Sequence, residues 1–147
     1  MSERNGCAPN MPRLSPYLIV RDAGKALDFY EKAFGFVKRE VFTGPDGGVK
    51  HAEMTFGEAV IMFAPEAACG AEMKARAPAT SGVDSPIGLY LYCADVDALY
   101  ARATAAGARG LRPPTDMFWG DRSCHLVDPD GYAWSFGTHK GQPAAKA

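Results

Sequence analysis

The sequence has little that would hold it in a membrane, in an oxidising compartment or on nucleic acid. Its longest apolar runs are strand-sized, far short of the roughly 20 residues that a spanning helix needs. Four cysteines, Cys7, Cys69, Cys93 and Cys124, are scattered without paired spacing. That argues against a disulfide framework or a zinc knuckle and suits free thiols, with Cys93 and Cys124 read as small buried hydrophobes. Neither charge dominates: 16 Lys and Arg against 17 Asp and Glu leave a formal net charge of -1. Phosphate contacts need clustered positive charge, so no nucleic-acid partner is expected. Residues 1–13 carry Glu3 and Arg4 but no apolar core, so no signal peptide is expected, and the default reading is a cytoplasmic protein. There is no phosphate cradle either, because Gly44, Gly47 and Gly48 precede no helix. Ser123 and Ser135 lack the Gly-x-Ser-x-Gly setting of a nucleophile elbow.

What is present is the apolar material of one compact domain, 47 % of 147 residues, laid out twice. A strand is expected over 14–20. Asp22 then stands where a helix cap belongs, followed by Ala23, Ala26, Leu27, Tyr30 and Phe34 at helical spacing, and Gly35 ends the helix. Strands are expected near 36–43, 48–55 and 59–63, with Pro45-Asp46-Gly47-Gly48 as the first hairpin turn and Phe56-Gly57-Glu58 as the second. Residues 64–86 dissolve into Ala, Pro, Gly and Ser and read as a linker, with a short helix in 67–77.

The same order then returns. A strand from Ile87 to Cys93 leads to Asp95 as a cap and to a helix with Val96, Leu99, Tyr100 and Ala103 as its apolar stripe, closed by Gly107. Strands near 108–112, 121–127 and 132–137 follow, the last two joined by Asp128-Pro-Asp-Gly131. Asp22 recurs as Asp95; His51 is matched with His125 and Gly57 with Gly131. Neither half buries a four-stranded sheet alone. The fold class is therefore α+β, a pair of β-α-β-β-β modules over 14–63 and 87–137 in one domain spanning 12–139.

These residues carry a family likeness. Pro16-Tyr-Leu-Ile-Val-Arg-Asp22, Phe29-Tyr30, Phe34-Gly35-Phe36 and His51-Ala-Glu-Met54 are the matching pieces of the first half. Asp95-Val-Asp97, Ala106-Gly107-Ala108, Trp119-Gly-Asp-Arg122 and Asp128-Pro-Asp-Gly131 are those of the second. The chain resembles the vicinal oxygen chelate superfamily of glyoxalases, extradiol dioxygenases, and fosfomycin and bleomycin resistance proteins. It is most similar to the glyoxalase/bleomycin-resistance-like relatives of a phosphonate-operon protein. The resemblance implies two curled sheets forming a cup around a divalent metal ion, with ligands from the first and last strand of each module. Those positions fall near Ser15, Gly88, Ile61 or Met62, and Ser135, and the strand segments around them contain no Asp, Glu, His or Cys. A serine hydroxyl is a poor ligand for such ions, so no metal cofactor is expected.

Three functions stay open. The first is a metal-free binding protein of the bleomycin-resistance type that sequesters a partly aromatic or apolar small molecule. Tyr90 and Tyr92 share a strand face, and Trp119 either stacks on a ligand or lies at a contact between subunits. Arg122 either lines the cleft, as the resemblance implies, or pins its strand through Asp121. With Met62 and Ser135 these residues form the candidate ligand-binding set. Tyr132, Trp134 and Phe136 read as core. The second is a glyoxalase- or dioxygenase-class enzyme with a displaced metal site at His51, Glu53 and His125, the first two sharing a strand face. The third is a metal-independent isomerase using these residues for proton transfer, Glu53 orienting His51. A homodimer is expected, because small chains of this kind have sheet edges to protect.

Overall fold

The computed structural model describes residues 6–70, 72 and 74–141. The chain divides into two units, Met1–Glu31 with Gly35–Arg76, and Lys32–Phe34 with Ala77–Ala147.

In the first unit β1 (Tyr17–Val20) leads to α1 (Ala23–Phe34), then to β2 (Val37–Thr43), β3 (Val49–Phe56) and β4 (Ala59–Pro65). Asp22 caps α1 in an extended conformation, its carboxylate accepting the Lys25 N–H at 3.0 Å. Gly35 ends the helix at φ 78°, a left-handed conformation that costs glycine little. The sheet order is β1-β4-β3-β2, with β1 parallel to β4 and the other pairs antiparallel. A parallel first pair needs a crossover, and α1 supplies it. Tyr30 of α1 lies edge-on to Phe63 at 5.6 Å. The helix therefore covers the sheet face bearing Leu18, Ala52, Met54, Ile61 and Phe63, all buried.

The second unit repeats the plan. After a 3₁₀ turn at Glu66–Ala68 in the first unit, α2 (Pro78–Ser81) precedes β5 (Gly88–Tyr92), α3 (Val96–Ala105), β6 (Arg109–Asp116), β7 (Asp121–Val127) and β8 (Ala133–His139). The helix expected within 67–77 falls partly on residues 71 and 73, outside the described set. The sheet order is β5-β8-β7-β6. Asp95 caps α3 by accepting the Ala98 N–H at 3.1 Å. Trp134 and Phe136 are fully buried, and Phe34, at the end of α1 and part of this second unit, packs its ring 5.1 Å and 4.8 Å from theirs. Cys124 is buried as expected, whereas Cys93 is only partly covered.

Two expectations need correcting. β6 runs on through Pro113-Pro114 to Asp116, past the strand end expected near residue 112. It is an edge strand with an irregular register between Arg112 and Thr115, and an edge tolerates the N–H that proline lacks. The pairing of His51 with His125 across the repeat also fails. Glu53 stands opposite Met62 and His125 opposite Ser135, while Tyr17 and Tyr90 stand beside those same partners. The mate of His125 is thus Glu53, and the mate of His51 is Ser123. β3 and β7 correspond at an offset of 72 residues and β4 and β8 at 73, so His51 and His125, 74 apart, stand two residues out of register; the connection from Val127 to Ala133 is one residue longer than that from Thr55 to Val60.

Candidate functional site

In each sheet the helix covers one face, and the polar candidates alternate onto the other. On the first sheet that face carries Tyr17, His51, Glu53 and Met62. The Tyr17 hydroxyl meets His51 Nδ1 at 3.0 Å, and His51 Nε2 meets Glu53 Oε2 at 3.2 Å. One neutral tautomer satisfies both bonds, Nδ1 accepting from the phenol and Nε2–H donating to the carboxylate. Arg39 forms an ion pair with Glu53 and donates to the Pro9 carbonyl at 2.9 Å. Burial raises the Tyr17 pKa, helped by the negative potential of Cys69 and Glu53, so the phenol keeps its proton. Arg39 and Tyr17 escaped the sequence reading, although Tyr17 and Tyr90 keep the same spacing as Asp22 and Asp95.

On the second sheet the corresponding face carries Tyr90, Tyr92, Asp121, Ser123, His125, Ser135 and His139. Its centre is Asp121, only 2 % exposed. One carboxylate oxygen accepts from the Tyr90 hydroxyl at 2.7 Å and the Trp119 indole N–H at 3.0 Å. The other meets His139 Nδ1 at 2.8 Å. These bonds, led by His139 and then Tyr90, lower the Asp121 pKa to about 2. Burial, followed by the bond to Asp121, raises Tyr90 to about 12. Trp119 sits at the tip of the β6–β7 hairpin, where Gly120 takes φ 101° and its N–H bonds to the Met117 carbonyl at 3.1 Å. The Phe118 ring stands perpendicular to Trp119 at 5.0 Å, and Tyr90 and Tyr92 are 5.4 Å apart. Gly137 lies beneath Tyr90, where a Cβ would come within 2.4 Å of the phenol oxygen.

Further along this face His125 hydrogen-bonds through Nδ1 to Ser135. Burial, with Arg112 nearby, lowers the His125 pKa. At its far end the face borders a cavity of about 600 Å³ lined by Val83, Arg109, Leu111, Val127 and Ala133, among others. That volume suits a small organic molecule. No sequence signal marked Asp121 or His139 as a centre, because their partners come from three strands and a turn.

Arg122 departs from the expectation. It occupies the helix-covered face, with Nε and Nη2 on the Asp97 carboxylate at 2.8 Å and 2.9 Å and Nη1 on Asp116 at 3.2 Å. Neighbours on a strand point to opposite faces, so Arg122 neither joins Trp119 nor pairs with Asp121.

Among the described residues, no three His, Cys, Asp or Glu side chains gather to hold a metal ion. Met62 and Ser135, on the last strands, lie opposite Tyr17 and Tyr90. Both ring nitrogens of His51 are engaged by neighbours, and the Ser15 hydroxyl is shut away from solvent without a partner among the described residues. This donor set does not fit the divalent-metal centre that the fold implies.

Comparison with known proteins agrees with the architecture. Residues 11–136 match the glyoxalase family, described as the Glyoxalase/Bleomycin resistance protein/Dioxygenase superfamily. An uncharacterized protein of Mycobacterium bovis is 39 % identical over 128 residues, covering 86 % of this chain and 82 % of its own length. The crystal structure of TioX from Micromonospora sp. ML1 is similar with a TM-score of 0.69 at 25 % identity, covering 87 % of this chain and 98 % of that one. The fosfomycin resistance protein FosX of Listeria monocytogenes, solved with Mn(II) and sulfate, shares the fold with a TM-score of 0.63 at 16 % identity, over 87 % of this chain and 90 % of its own. This chain belongs to the glyoxalase/bleomycin resistance protein/dioxygenase superfamily.

Proposed function

We propose that the protein binds and sequesters a small molecule with aromatic or apolar surface, and does so without a metal ion. The observation that carries this reading is the face of the second sheet. Tyr90, Tyr92, Phe118 and Trp119 all stand open to solvent there, around a carboxylate that fixes two of them. Aromatic rings held in place lose little entropy when a planar ligand stacks on them. The cavity bordering Ala133 extends the same face. We infer a homodimer as the working form, since the edge strand β2 leaves Val37 and Phe42 exposed. A cytoplasmic setting suits four free thiols.

The test is elemental analysis of protein purified untagged and without chelator. The reading predicts no stoichiometric zinc, nickel, iron or manganese. A bound metal that disappears in His51→Ala would overturn it in favour of a metal-dependent lyase or dioxygenase. The Tyr17–His51–Glu53 line favours a second reading, a metal-independent isomerase in which His51 and Glu53 move a proton. That reading predicts turnover abolished by His51→Ala with ligand binding kept.

A further inference from the structure

The chemistry around Asp121 narrows the class of ligand. Its carboxylate is almost wholly removed from water, yet its donors are a phenol, an indole and an imidazole. Among the described residues no lysine or arginine pairs with it; its one basic partner is His139. His139 donates through Nδ1–H from a ring that is itself exposed, so the carboxylate is not matched by a permanent cation. A carboxylate with so little exposure acts on the groups that touch it more strongly than one in open water.

Two of the donors are themselves part of the aromatic surface. A phenol or indole that donates to an anion is polarised, so that electron density moves into its ring. The negative ring faces of Tyr90 and Trp119 are thereby strengthened, and both rings remain exposed beside Tyr92 and Phe118. Aromatic faces of this kind attract cations, most of all when the site is partly shielded from water. Arg112 lies on the same sheet face and keeps its charge, since the Ser123 carbonyl and hydroxyl that it meets at 2.9 Å are neutral; it stands opposite His125, whereas the aromatic rings gather at Asp121.

We propose that this face selects ligands in which a cationic nitrogen, an ammonium or a quaternised heteroaromatic nitrogen, is joined to an aromatic or apolar body. The inference rests on the aromatic-binding reading and adds to it the sign of the ligand's charge. Asp121 acts here as a positioning residue: it orients Tyr90 and Trp119 and supplies the field, without itself touching the ligand.

Two planar probes separate the terms, N-methylquinolinium and neutral quinoline, compared by isothermal titration calorimetry at neutral pH and low salt. The cation is expected to bind about tenfold more tightly than its neutral counterpart. Asp121→Asn should bring the two affinities close together. Phe118→Leu, at an exposed side chain with no polar atoms, should lower cation affinity while leaving the fold untouched, and so keeps the test valid should Asp121→Asn fail to fold. Equal affinities in the wild type would overturn the charge selection and leave the aromatic reading standing. An advantage that survives Asp121→Asn, or one indifferent to Phe118→Leu when Asp121→Asn does not fold, would overturn the role given to this cluster. Failure of both probes to bind would overturn the aromatic reading and this inference together.

Discussion

At the scale of single residues, Tyr90 reports on the whole cluster. Its phenol is held neutral by burial and by donation to Asp121, with a pKa near 12. Because the folded value lies above the unfolded value of about 10, its stabilising contribution is complete below about pH 10 and is lost as pH rises through about 12. Asp121 behaves in the opposite sense. Its contribution is present above about pH 4 and is lost as pH falls through about 2. Alkaline ultraviolet titration of the wild type, minus that of Tyr90→Phe, should isolate one phenol ionising near pH 12. In Asp121→Asn the same phenol should ionise closer to 10; a wild-type step already near 10 would contradict the assigned bond. Arg122 gives a second prediction. Its guanidinium serves Asp97 and Asp116, so Arg122→Ala should leave aromatic-probe affinity unchanged while lowering the unfolding midpoint. A large loss of affinity would return Arg122 to the ligand face. Trp119 and Arg122 are close in sequence, and only the alternation of side chains along β7 separates their roles.

At the scale of elements, the helices and most strands were legible because local chemistry decides them. Asp22 and Asp95 cap their helices as read, and Gly35 closes the first. Replacing either aspartate by alanine should cost about 1 kcal/mol in a urea unfolding experiment, and replacing it by asparagine almost nothing. Equal losses for alanine and asparagine would show that the cap bond is not what holds the helix start. Register was the part that sequence concealed. Histidine invites matching with histidine, but the strand registers make Glu53 the repeat equivalent of His125, two residues away from the histidine match. The continuation of β6 through two prolines was hidden for a related reason: proline reads as a breaker unless the strand is known to lie at an edge.

At the scale of the whole molecule, the duplicated β-α-β-β-β plan was visible because each half carries its own caps, turns and apolar alternation. The site was only partly visible. His51 and Glu53 do share a face and a hydrogen bond, but Asp121, His139 and Arg39 take their meaning from strands far apart in sequence. The cores underneath are ordinary in kind. Phe63→Ala and Phe136→Ala, each removing a fully buried ring, should destabilise by roughly 3–5 kcal/mol in calorimetric or denaturant unfolding. A cost below about 1 kcal/mol at either position would mean that the ring is not packed as described. Function depends on the opposite, exposed face, and the two tryptophans report on the two environments separately. Trp134 is fully buried, and Trp119 is 38 % exposed. The most direct measurement is therefore a fluorescence titration of chelator-treated, metal-free protein with N-methylquinolinium. A saturable change is expected that arises from Trp119, is absent in Trp119→Phe, and has the same midpoint before and after chelator treatment. No saturable change in the metal-free protein, with binding restored by adding zinc, nickel, iron or manganese, would contradict it.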